Sequence, residues 1–93
     1  NKTEYERLFN YLKDKNLNPI PSFTNFVTFF TKSAENSDWL FEQLLNQGVI
    51  IRKLGANNMH GFIRISIGTK QEMDHFYESF DKISNEFQNK MKG

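Results

Sequence analysis

A chain of 93 residues is the length of one domain, enough for a single modest core and short for an enzyme that must also enclose a substrate. Its 38% hydrophobic content, with Phe 10, Tyr 3 and Trp 1, supports a packed fold, while no stretch approaches the roughly 20 apolar residues needed to cross a bilayer. Cys 0 excludes disulfides, zinc–thiolate sites and a cysteine nucleophile, and twelve basic residues interspersed with eleven acidic ones argue against a general nucleic-acid or membrane surface.

The first residues show no basic-then-apolar leader pattern. Thr3 with Glu6 fits a capping box, and Tyr5, Leu8, Phe9 and Leu12 recur at helical spacing, so residues 3 to 16 read as an amphipathic helix. Asn16, Asn18, Pro19 and Pro21 end it, because each proline fixes its own φ and disfavours the helical region for its predecessor. Phe23 to Phe30, phenylalanines and Val27 among threonines, reads as the first strand. Ser37 is placed to cap a second helix with Asp38 in its first turn and Trp39, Leu40, Leu44 and Leu45 on its apolar side, and Gly48 closes it. Val49 to Leu54 reads as the second strand with Arg52 at its far end, and Gly55 to Gly61, including Asn57 and Asn58, as a polar connection long enough to move.

The third strand is the run Phe62-Ile63-Arg64-Ile65-Ser66-Ile67. It stops at Gly68, where Thr69 and Glu72 form another capping box ahead of a helix bearing Met73, Phe76, Tyr77, Phe80, Ile83, Phe87 and Met91 on one stripe. The order helix, strand, helix, strand, strand, helix predicts an α+β fold: an αβαββα two-layer sandwich with a three-stranded, mainly antiparallel sheet and helices on one face. A right-handed crossover plus a short antiparallel connection places the third strand between the other two.

Alternation along the third strand puts Ile63, Ile65 and Ile67 on the core face and Phe62, Arg64 and Ser66 on the face that no element of the chain is left to cover. Arg64 there is solvated, paired with a carboxylate, or an anion-binding group, and residue type and facing leave the choice open. Arg52 lies on or near the same side if the strands pair as expected, although alone it reads more readily as a solvated strand-end charge. Asn25 is a weak donor candidate, His60 and His75 lack a second ligand at metal spacing and read as surface residues, and no nucleophile–base or carboxylate pair stands out. A free-standing RNA-binding sheet has a similar element order, but the central strand offers only one aromatic, Phe62, beside Arg64.

Ser22-Phe23-Thr24-Asn25-Phe26-Val27, Gly48-Val49-Ile50-Ile51-Arg52 and Ile63-Arg64-Ile65-Ser66-Ile67-Gly68-Thr69 together resemble the small C-terminal domain of fold-type I aminotransferases that use pyridoxal phosphate, and within them the histidinol-phosphate branch. The resemblance covers nearly the whole chain, residues 1–93. It implies that Arg64 binds a substrate α-carboxylate and that Arg52 helps hold a substrate phosphate. It also implies that the lysine and aspartate serving the cofactor belong to a large domain outside this sequence, so that the chain is a fragment, inactive alone, holding no catalytic and no cofactor-binding residue. The parent enzyme, a cytoplasmic homodimer by the same resemblance, exchanges an amino group between an amino acid-like phosphate ester and 2-oxoglutarate. A related phosphate-handling pyridoxal enzyme, such as a threonine-phosphate decarboxylase, is the alternative within that class.

Overall fold

The computed structural model describes residues 2–55 and 59–92, so the expectations for Asn57 and Asn58 lie outside the described residues. The chain runs α1 (Lys2–Asp14), β1 (Phe26–Phe30), α2 (Ala34–Asn46), β2 (Arg52–Leu54), β3 (Phe62–Ser66) and α3 (Lys70–Lys92). The strand order is β1-β3-β2 with both pairings antiparallel, as the connection lengths require.

Several boundaries differ from expectation, each for a local reason. α1 already begins at Lys2, which places Thr3 inside its first turn and not at its cap. β1 starts at Phe26 because the residues before it bend: the Thr24 N–H donates to Ser22 Oγ at 3.0 Å, a serine turn that competes with strand pairing and leaves Phe23 fully exposed. The cap of α2 is Ser33, not Ser37. Ser33 is extended (φ −158, ψ 157) and its Oγ accepts the Asn36 N–H at 3.0 Å, whereas Ser37 is buried one turn inside the helix. Gly48 does close α2, at φ 82 with its N–H on Leu45 O at 2.9 Å. The N–H of Val49 then bonds Leu44 O at 2.8 Å, so the chain reaches the sheet late and β2 opens, rather than ends, at Arg52. The second capping box forms as expected: the Thr69 N–H donates to Glu72 Oε1 at 2.8 Å and the Glu72 N–H donates to Thr69 Oγ1 at 3.1 Å, and the Thr69 backbone N–H, then its side chain, hold the Glu72 carboxyl below its usual range.

The core lies between one sheet face and the three helices. Val27 and Phe29 stand opposite Ile65 and Ile63 in register, and all four are buried beneath Leu8 and Leu12 of α1, Leu40 and Leu44 of α2, and the stripe of α3. Phe87 anchors the aromatic part, edge-on to Phe29 at 6.4 Å and Phe80 at 5.8 Å, with Trp39 stacked on it at 6.2 Å. Burying each such side chain contributes about 1.5–3 kcal/mol relative to leaving it in water. A polar seam joins α1 to α3: Arg7 meets Asp74 at 2.6 Å, the Tyr11 hydroxyl donates to Asp81, and Gln88 Nε2 donates to Lys15 O at 2.9 Å. The opposite sheet face carries no helix.

Candidate functional site

On that open face the register sets three residues across the sheet: Thr28 opposite Arg64, and Arg64 opposite Arg52. Arg52, the first residue of β2, is an exposed strand-end charge that pairs directly across from Arg64. Like charges directly opposite destabilise an antiparallel pair, so this juxtaposition costs the fold something. Relief from acidic neighbours is missing. Among the described residues Arg7, Lys15, Lys53 and Lys70 each meet a carboxylate, and Arg52 and Arg64 meet none. Lys53, on the core-facing side of β2, is tied to Asp38 at 3.2 Å and lies over the Phe41 ring at 4.7 Å.

Arg64 is half-buried. Its guanidinium carbon lies 4.6 Å from the centroid of the Phe26 ring, and its Nε is buried with no hydrogen-bond partner. Beside the pair, Arg52, Arg64 and Ser66 share a cleft of about 380 Å³ with Ile50 and Phe41. The cleft combines three cations, Arg52, Arg64 and Lys53, and a hydroxyl with an apolar wall, the usual make-up of a small-molecule site. Phe30 and Phe62 pack on each other at 4.8 Å farther along the face.

The remaining candidates fall elsewhere. Asn25 is exposed just before β1, where its carbonyl accepts the Ile67 N–H at 2.7 Å and its side-chain amide has no protein partner. His60 is exposed in the turn before β3, and His75, exposed on α3, donates from Nε2 to Gln47 O at 2.8 Å, tying α3 to the end of α2. No group of three metal-ligating side chains occurs among the described residues. Nor is any described helix long and apolar enough to cross a membrane. Phe26 was missed from sequence, since Phe26-Val27-Thr28-Phe29-Phe30 is apolar on both faces and alternation cannot say which ring lies under Arg64; the β1–β3 register is the signal that reveals it.

The family model for aminotransferase class I and II matches residues 2–80. The chain belongs to the class I and II aminotransferases. It is 40% identical over 83 residues to the histidinol-phosphate aminotransferase of Campylobacter jejuni strain RM1221, a match covering 89% of this chain and 22% of that protein. The Campylobacter lari enzyme of the same name is 42% identical over 72 residues, covering 77% and 19%, and that of Sulfurimonas denitrificans 36% identical over 78, covering 84% and 21%. This aminotransferase chain therefore spans about a fifth of the length of the curated relatives it matches.

Aminotransferases of these classes generally depend on pyridoxal phosphate. The described residues do not fit that group. A cofactor-carrying lysine needs a desolvated amine, and all nine lysines of this aminotransferase chain are at least partly exposed, with Lys15, Lys53 and Lys70 held by carboxylates.

Proposed function

We propose that the chain is the C-terminal, substrate-gripping domain of a histidinol-phosphate aminotransferase, cytoplasmic and homodimeric, that exchanges an amino group between histidinol phosphate and 2-oxoglutarate. In this reading pyridoxal phosphate supplies the electron sink for the amino transfer and is held by a large domain outside these 93 residues. The carrying observation is the pair Arg52 and Arg64, opposed in register on the open face without a carboxylate for either. Two guanidiniums kept apart from internal acids at a cost in stability are explained by a ligand that brings its own negative charge.

The residues divide the work. Arg64 takes the α-carboxylate of the glutamate and 2-oxoglutarate pair through charge-assisted, bidentate hydrogen bonds, which fix orientation as well as supplying affinity. Arg52 takes the phosphate of histidinol phosphate. The two sit side by side, so an anion on either lies in the field of both, and one cleft serves both half-reactions. Asn25, exposed beside the start of β1, adds a neutral donor. Closing this domain on the large one would exclude water from the ion pairs and strengthen them.

In the full-length protein that carries this chain, Arg64→Ala is expected to lower turnover of every amino donor, because each must be paired with 2-oxoglutarate, and to lower kcat/KM for 2-oxoglutarate and glutamate about a hundredfold, the loss of about 3 kcal/mol of charged hydrogen bonding. Arg52→Ala is expected to harm histidinol phosphate selectively and leave unphosphorylated donors within about threefold. Wild-type turnover in the Arg64 variant would end the assignment. A uniform loss in the Arg52 variant would remove the phosphate specificity and leave the family untouched.

A further inference from the structure

We propose that Phe26 is the positioning residue of the anion grip: its ring holds the plane of the Arg64 guanidinium without neutralising it. The inference rests on the reading of Arg64 as the group that holds a substrate anion. A cation destined for a ligand must be oriented, and proteins most often orient arginine with a carboxylate. A carboxylate here would compete with the incoming anion for the same donors. An aromatic face avoids that competition, since it attracts the guanidinium through its quadrupole and presents no acceptor oxygen.

The geometry matches that requirement. Phe26 pairs with Ser66 in register, which sets its ring diagonally beside Arg64 on the open face, 4.6 Å from the guanidinium carbon. The backbone that carries the ring is fixed, because Phe26 is a ladder residue and the preceding Asn25 carbonyl accepts the Ile67 N–H at 2.7 Å. Arg64 Nε is buried and has no acceptor, whereas the terminal nitrogens, also unpartnered, are not buried. The ring and the buried edge thus leave one way to dock a carboxylate, end-on to the two terminal nitrogens, with the side-on mode through Nε closed. Burying a donor unsatisfied costs stability. That cost goes with holding the guanidinium edge-in and its terminal nitrogens outward.

The test compares Phe26→Leu and Phe26→Met, which keep volume but remove the ring, with Phe26→Tyr, which keeps it. In the full-length protein the two ring-less variants are expected to raise KM for glutamate about five- to tenfold with kcat within about twofold, and Phe26→Tyr to restore the wild-type KM. A second readout needs no turnover. In NMR spectra the Arg64 Nε–H resonance should be displaced upfield by the ring current in wild type and Phe26→Tyr, and return to the ordinary arginine position in Phe26→Leu. Ring-less variants with wild-type KM, or Tyr and Leu variants equally impaired, would overturn the role of Phe26 while a damaged Arg64→Ala still upheld the grip itself. Wild-type turnover in Arg64→Ala would instead remove the grip, and the resonance would then report the stacking alone.

Discussion

Replacing Arg52 by threonine should make this protein more stable while making it a worse anion binder. Threonine suits a strand, so the backbone of β2 loses nothing, and Arg52 has no ion pair to give up. What is removed is repulsion from Arg64 directly across the ladder. For opposed Cβ atoms about 5 Å apart, taking a separation of about 8 Å between the charged heads and an effective dielectric of about 60 gives a Coulomb term of about 0.7 kcal/mol. For a domain of this size that corresponds to a rise in Tm of about 3–5 °C. The assay is thermal unfolding of wild type and Arg52→Thr in low salt, in about 1 M sodium chloride, and in low salt with added phosphate. The gain should shrink towards zero in high salt, where the Debye length falls to about 3 Å. Phosphate should raise the wild-type Tm more than that of the variant, because a ligand that binds only the folded state stabilises it by mass action. A destabilised Arg52→Thr, or a gain indifferent to salt, would refute the claim that the two arginines are held together against their own repulsion.

The fold makes further commitments that can be measured. Gly61→Ala should cost about 2–4 kcal/mol in urea unfolding, because Gly61 sits at φ 91 and an added Cβ would come within 2.9 Å of Phe30 Cε1 and 3.1 Å of the Ser33 backbone. Phe87→Ala should cost about 3–5 kcal/mol, enough to leave a domain this small largely unfolded at 37 °C by circular dichroism, since one ring packs against Phe29, Phe80 and Trp39. Stability should fall with acid. The hydrogen bond from Arg7 holds the Asp74 carboxyl, and that from Tyr11 the Asp81 carboxyl, below the usual carboxylate range, so their contribution is complete above the unfolded value of about 4 and is lost as pH drops through the lower folded values. A double variant, Asp74→Asn with Asp81→Asn, should show a flatter stability profile between pH 5 and about pH 2, and an unchanged slope would discount the seam.

The parts of the fold legible in the sequence were those set by long-range pattern. The α3 stripe from Met73 to Met91 and the alternation of Ile63, Arg64, Ile65 and Ser66 are dictated by burial, and burial is what periodicity records. The antiparallel sheet with β3 in its middle followed from the crossover between the first two strands and the short connection to the third. The parts that failed were decided by single hydrogen bonds. Ser33 and Ser37 are equally plausible caps from composition, and the choice fell to Ser33 because Asn36 can donate its side-chain amide to Thr31 O at 2.8 Å as well as its N–H to Ser33 Oγ. The position of Arg52 failed similarly: Val49 stays bonded to the end of α2, delaying the strand by three residues and moving Arg52 from the end of the ladder to its start.

That delay is also what builds the site. If Val49 to Ile51 continued the ladder, Ile50 would pair across from Ser66 by the register that sets Arg52 against Arg64. Instead Ile50 stands 79% exposed, the chain parts from β3, and the cleft beside Arg64 and Ser66 opens in the gap. The three-residue β2 sacrifices ladder hydrogen bonds that a longer strand would make. It gains a concave wall next to two unpaired guanidiniums. A sheet optimised only for stability would extend β2 and place an acid between the arginines, and either change would close the cleft or neutralise the cations beside it.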